Sequence, residues 1–339
     1  MMVIYTIIIL CVLIFVHELG HFMAAKLSGV KVNEFALGMG PAFFKRQKGE
    51  TQYSLRVFPI GGFCAMEGED EDSEDLRAFQ KKPAGIKAII LVAGSLMNVV
   101  LAIVILSAVI FYAGTSLTTV IKEVGAGSPA QSAGILAGDK IAAIDGVAIN
   151  GWDDVVKEIS GTDKEKLSIS VLRNGEALTI ETSLTTAEDG RKVIGISPAV
   201  KRNPFVAIEM GARTSGSMIV NMVDILGQLF TGGVPATELT GPVGIAYMVD
   251  DFAKSGMRDL LYLVALISLN LAIVNMLPFP ALDGGRLLFL IIRKITGKAI
   301  SDKVEARIHL AGMMLLFALM IYVTWNDIGR FIIGSFRFN

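Results

Sequence analysis

The chain has 339 residues, of which 53% are hydrophobic and only 19% charged, and its mean hydropathy is +0.58. Soluble domains carry about a quarter charged residues, so this composition excludes a purely soluble protein and asks for several membrane spans beside some soluble mass. The 31 Lys plus Arg against 32 Asp plus Glu remove the basis for sequence-independent nucleic-acid binding, and two scattered cysteines, Cys11 and Cys64, are too few for a disulfide framework or a cysteine metal site.

Four stretches, near residues 2–24, 88–113, 260–282 and 308–326, are apolar enough to cross a hydrocarbon core of about 30 Å. The first has no basic residue before it and runs into His17-Glu18-Leu19-Gly20-His21 instead of a small-residue cleavage site, so it reads as a retained span and not a signal peptide. On a helix, positions i and i+4 share one face, so His17 and His21 can hold one Zn²⁺ while Glu18 serves as general base. At about 1.5 Å per residue, His17 lies roughly 24 Å into the span, which puts the site inside the membrane.

Lys26, Lys31 and Lys45 follow the first span and Lys81, Lys82 and Lys87 precede the second, so this loop is expected to be cytoplasmic. Within it, Tyr53 to Phe63 reads as a strand, a turn at Gly61-Gly62 and the start of another strand, and Glu67 to Asp75 holds seven acids in nine residues, read as a solvated loop. From about residue 118 short β-type runs alternate with turns, among them the hairpin signal Asn174-Gly175. Here Gly127-Ser128-Pro129-Ala130, Gly138-Asp139-Lys140-Ile141 and Ile144-Asp145-Gly146 resemble bacterial PDZ domains, with Ile194-Gly195-Ile196 as the expected peptide-holding strand. Residues 203–232 are greasy but carry Glu209, Arg213 and Asp224, so an interfacial amphipathic helix is expected there.

The third span ends in Asn275-Met276-Leu277-Pro278-Phe279-Pro280-Ala281-Leu282-Asp283-Gly284-Gly285, where prolines and glycines break the helix. Irregular backbone at membrane depth is tolerated only where it lines a protein cavity, which makes Asp283 the better candidate for a third zinc ligand. His309 qualifies by type, but a capping or interfacial role suits its place at the start of the last span. Arg286, Arg293, Lys294, Lys298, Lys303 and Arg307 put the connection between the last two spans in the cytoplasm. Both termini and residues 114–259 then face outward.

With HExxH in the first span, NxxPxPxLDGG in a later one and a PDZ-like stretch between, the chain resembles the site-2 protease family of intramembrane zinc metalloproteases. More narrowly it resembles the bacterial members that cleave trimmed anti-sigma factors or remnant signal peptides. The resemblance implies one zinc held by His17, His21 and Asp283, Glu18 as catalytic base, and Asn275 assisting substrate or oxyanion binding. It also implies a re-entrant β-hairpin whose edge near Gly61, Gly62 and Phe63 takes up unwound substrate, and Ala93-Gly94-Ser95-Leu96-Met97-Asn98 matches a further family motif.

The expected fold is a polytopic α-helical membrane protein with four transmembrane helices, a zinc site inside the bilayer, a cytoplasmic-side re-entrant β-hairpin and an extracytoplasmic PDZ domain. Its division is 1–25, 87–113, 258–288 and 308–327 as spans, 26–86 and 289–307 as cytoplasmic loops, 114–200 as PDZ domain, 201–257 as amphipathic segment and 328–339 as outer tail. The expected partners are the lipid bilayer and single-span membrane-protein substrates trimmed beforehand, in a bacterial cytoplasmic membrane. Two other readings stay open: a membrane zincin whose third ligand is a Glu from a later helix, and a catalytically silent adaptor that binds exported chain ends.

Overall fold

A computed structural model describes residues 2–69, 71–187, 189–233, 240–297 and 302–333, so Asp70 of the acidic run, residues 298–301 of the cytoplasmic loop and 334–339 of the tail lie outside it. In chain order, α1 (Met2–Leu27) leads into β1 (Val32–Lys48), β2 (Thr51–Met66) and α2 (Ala84–Ala113). There follow β3 (Ser116–Val124), α3 (Pro129–Ser132), β4 (Lys140–Ile144), β5 (Val147–Ala148), α4 (Trp152–Ser160), β6 (Lys166–Arg173), β7 (Glu176–Ser183), β8 (Thr185–Thr186), β9 (Lys192–Val193) and β10 (Ile196–Lys201). The chain continues through α5 (Pro204–Thr231), α6 (Pro242–Ser255), α7 (Met257–Asn275), α8 (Asp283–Thr296) and α9 (Asp302–Ile333). Two compact units result, Ile110–Met210 and the remainder.

Four helices among the described residues are long and apolar enough to cross a membrane: Val3–Leu27, Ala84–Ala113, Met257–Asn275 and Val304–Arg330. A greasy surface all round suits α1 and α2 to lipid, and they meet where side chains vanish. A Cβ on Gly20 would stand 2.3 Å from the Ala93 carbonyl oxygen. The third span ends at Asn275, seven residues short of the expected 282. Pro278 and Pro280 lack the N–H that a helix needs and force the residues before them out of the helical region. Asp283 therefore opens a new helix, α8, instead of closing the third span, and α8 runs on through residues 289–296, the first part of the stretch expected as a loop.

The β-hairpin departs from its expected form. The connecting turn lies between Lys48 and Thr51, and Gly61-Gly62 sits inside β2. Residues 34–37 pair with two runs of β2 at once: Phe35 faces both Tyr53 and Cys64, and Leu37 faces both Leu55 and Gly62. The ribbon is thus doubled over, with the runs ordered 42–48, 51–56, 34–37, 62–66. Left-handed glycines at Gly38 (φ 88°), Gly40 (φ 82°) and Gly61 (φ 87°) make the bends, a conformation closed to most residues. Its root packs on α1 and α2 through Phe22, Phe35, Tyr53 and Ile90, while Met39, Phe43, Val57 and Phe58 near the bends are exposed. The acidic run is anchored at its first member, since Glu67 accepts from Ser73, Asn33 and Lys31, and these donors draw its carboxyl down to about 2.

α5 is a single helix that packs Met218 against Ala102 and Leu106 of α2 and Ala265 and Leu269 of α7. α6 begins at a buried acid: Asp327 of α9, fully enclosed, accepts the backbone N–H groups of Gly241 (3.0 Å) and Gly244 (2.8 Å). A carboxylate there satisfies amides that the helix start leaves without partners and complements the helix dipole.

The smaller unit is built on a sheet ordered β10-β3-β4-β6-β7, closed around Ile121, Ile141, Ile144, Leu167, Ile169, Val171 and Ile194. Asn174-Gly175 forms the expected two-residue turn, with both residues at positive φ and Arg173 paired with Glu176. Asp139, almost fully buried, receives both Nε and Nη2 of Arg173 at 2.7 Å and the Leu136 N–H, and the guanidinium holds its carboxyl below the usual range. Asp139→Ala removes an almost fully buried acceptor of three hydrogen bonds and strands the Leu136 N–H, so it should cost this unit about 2 kcal/mol. A depressed folded pKa gives stability that is complete above the unfolded value near 3.9 and is lost as pH falls through the folded one. Hydrogen exchange of β4 and β6 amides in the full chain measures this, and equal protection in variant and parent at pH 7 would show the pair contributes nothing.

Candidate metal centre

The HExxH turn puts His17 and His21 on one face of α1, and both are buried. Their Nε2 atoms stand 3.2 Å apart. Asp283, brought by the first residue of α8, places Oδ2 3.1 Å from His17 Nε2 and 3.2 Å from His21 Nε2. The turn that delivers it depends on the two glycines that follow. A Cβ on Gly284 would lie 2.3 Å from the Met276 and Leu277 carbonyl oxygens, and one on Gly285 2.2 Å from that of Phe279. Any side chain there would push the 276–280 loop away from the start of α8.

These three are the one group among the described residues whose His, Cys, Asp or Glu donors could hold a metal ion. The arrangement fits zinc. Bonds of about 2.0–2.1 Å in tetrahedral order leave neighbouring donors about 3.3 Å apart, close to the observed separations. Asp283 Oδ2 and His17 Nδ1 are buried with no hydrogen-bond partner, a cost that a cation at the convergence point would offset for the carboxylate. The Asn275 amide Nδ2 stands 3.2 Å from His17 Nε2, at the rim of the same cluster.

α2 contributes no ligand but shapes the site. The Ile90 carbonyl oxygen lies 2.8 Å from His21 Nδ1, so the ring proton falls there and Nε2 keeps its lone pair for a metal, the usual role of such a partner. A Cβ on Gly94, one turn on, would stand 2.2 Å from His21 Nε2 and 2.8 Å from His17 Cε1. In the sequence Gly94 stands out only as part of the Ala93 to Asn98 motif, because a glycine carries no chemistry to announce what passes over it. Glu18 lies against the hairpin: a Cβ on Gly62 would come within 3.2 Å of its Cγ. Of the expected edge residues Gly62 is the one that meets Glu18, on an outer run of the doubled ribbon, while Gly61 packs against Met39 and the Phe63 ring lies under Arg56.

His309 is not in the metal group; its Nδ1 accepts the Ala281 N–H at 2.8 Å. In the smaller unit, the carbonyl oxygens of Ile194 and Gly195 are used internally, accepting from Ala130 and Gly125, and Ile196 opens β10 at the sheet edge.

Two imidazoles and an adjacent glutamate on a helix fit for a bilayer, met by a carboxylate from the start of α8, are the parts of a membrane-bound metallopeptidase. The chain belongs to peptidase family M50, whose signature matches residues 5–319, and it is a zinc metallopeptidase. It is 31% identical to the zinc metalloprotease RasP of Shouchella clausii, with 95% of this chain and 97% of that one aligned. A relative from Clostridium perfringens whose name also carries zinc metalloprotease is 37% identical, with 97% and 98% covered. Among solved structures, the PDZ domain of an SdrC-like protein from Listeria monocytogenes covers 24% of this chain and 85% of its own length, at 23% identity and a TM-score of 0.22.

Gly94→Ala drives a methyl into both imidazoles, so bound zinc is expected to fall at least about tenfold. Gly85→Ala, where a Cβ meets open space, should leave it unchanged. Metal analysis of the two purified variants decides the matter, and equal zinc in both would mean that the rings tolerate the methyl.

Proposed function

We propose that this chain hydrolyses a peptide bond within transmembrane segments of single-span membrane proteins trimmed by an earlier protease, in a bacterial cytoplasmic membrane. The observation that carries the reading is the depth of the donor cluster. His17 lies fourteen residues beyond Val3 in an unbroken apolar helix, about 21 Å along it. Ionisable residues at such depth are expensive unless they serve a function.

In this reading one zinc per chain is held by His17, His21 and Asp283. When bound, zinc lowers the pKa of a water and polarises the scissile carbonyl. Glu18 takes the water's proton as its oxygen attacks the carbonyl carbon, then delivers that proton to the nitrogen as the C–N bond breaks. Asn275 directs its amide at the same locus, where it can donate to the carbonyl oxygen as negative charge builds there. A helical substrate hides its carbonyls in its own hydrogen bonds, so it must unwind. The 61–66 run of β2, beside Glu18, offers an edge on which an unwound strand can pair.

The lysines and arginines at the span ends support a cytoplasmic hairpin and acidic loop, and an outer PDZ domain spanning 114–200. A folded domain on that side suits a size filter that turns away untrimmed substrates; peptide capture near Ile194, Gly195 and Ile196 would instead make the domain necessary for trimmed ones.

Glu18→Gln should keep its zinc while cleavage of a co-expressed single-span substrate falls by about 10²–10⁴-fold or more. Near-normal turnover would end the assignment of Glu18 as base. For sidedness, a cysteine at Gly161 should react with a membrane-impermeant reagent in intact cells and one at Leu76, which is 85% exposed, should not. Reaction at both positions would contradict the four-span arrangement.

A further inference from the structure

The third histidine does not join the metal group, yet it touches the segment that delivers Asp283. Ala281 stands two residues before that aspartate with φ 78°, a left-handed conformation that a residue with a Cβ disfavours. Its N–H donates to His309 Nδ1 at 2.8 Å. Three residues further along α9, Gly312 receives the same loop: a Cβ there would stand 2.5 Å from Pro280 Cβ and 2.6 Å from its carbonyl oxygen. Positions i and i+3 share a helix face, so α9 meets the 280–281 backbone with one acceptor and one bare patch side by side.

The orientation of His309 is itself fixed. Because Nδ1 accepts, the ring proton falls on Nε2, toward Glu305 one turn earlier at 3.9 Å. Glu305 in turn is paired with Arg293 of α8, and the imidazole leans on Phe289 of α8 with ring centroids 5.5 Å apart. Phe289 of α8 and Glu305 of α9 therefore flank the imidazole whose Nδ1 meets the strained amide.

Resting on the reading of Asp283 as a zinc ligand, we propose that His309 is a positioning residue for that ligand. Its Nδ1 holds Ala281 in the left-handed turn, presses the proline loop onto α9 and so sets where the Asp283 carboxylate stands. Asp283 is the ligand most in need of such help, since α1 fixes both imidazoles by helix geometry, whereas the carboxylate depends on an irregular loop.

The test is zinc affinity of the full chain in detergent, measured by chelator competition, with visible absorption of the cobalt-substituted form as a second readout. His309→Leu keeps the bulk and removes the acceptor, and should weaken zinc binding about tenfold and alter the cobalt spectrum. His309→Asn puts an amide oxygen where Nδ1 was and should restore affinity and spectrum toward those of the parent. Gly312→Ala, which displaces Pro280 without touching His309, should weaken binding in the same direction. Parent-like affinity in the leucine variant, or equal loss in the leucine and asparagine variants, overturns the proposal. Asp283→Ala run in parallel separates the two levels: if it loses zinc while the leucine variant does not, only the positioning role fails, and if it keeps zinc, the ligand assignment fails with it.

Discussion

Two imidazoles and two carboxylates in a part of the chain greasy enough for lipid form an arrangement that the rest of the membrane unit must hold together. Each charge taken from water costs several kcal/mol unless an opposite charge or a cation stands beside it. The remedy is convergence on one point that a cation can fill: Oδ2 of Asp283 stands within 3.1–3.2 Å of both Nε2 atoms. Much of the neighbouring sequence is explained by that closeness. Gly20 lets α1 reach the backbone of α2, Gly94 leaves room under the rings, and Gly284 and Gly285 let the proline loop fold back so that the aspartate can arrive.

The same crowding orders the reaction groups. Glu18 neighbours His17 in the chain, yet it lies against the hairpin, where Gly62 meets it. Glu18, the proposed base, therefore lies beside a β edge. In the proposed reaction, a strand seated on that edge would have its backbone within reach of the base without further movement, which is the geometric advantage of bringing a sheet to a helical metal site.

Much of this was legible in the sequence, and the boundary of legibility is physical. HExxH speaks through helical periodicity alone, so the His17 and His21 pair could be read from local spacing. Asp283 could be singled out because prolines and glycines flag a broken helix and because few acids stand near apolar stretches. That the aspartate opens α8 instead of ending α7 was not readable, since Leu287 to Ile292 are greasy enough to belong to either. The doubled ribbon was hidden because Phe35 pairs with residues 18 and 29 positions away, and no local pattern encodes two partners. Gly94, Gly312 and Ala281 were hidden for another reason: their part in the site is a bare surface or a backbone angle, visible only once the neighbour is in place.

The enclosed carboxylate of Asp327 carries a consequence for how the protein is made. The amides it caps, at Gly241 and Gly244, precede it by 86 and 83 residues. A ribosome therefore completes α6, α7, α8 and most of α9 before the start of α6 can obtain its partner. Until then those amides must turn to water or lipid headgroups, and the early helices wait in the membrane with an unfinished joint. The last helix thus acts as a closing pin, and a nascent protease is barred from its final packing until nearly all of the segments described here have been synthesised.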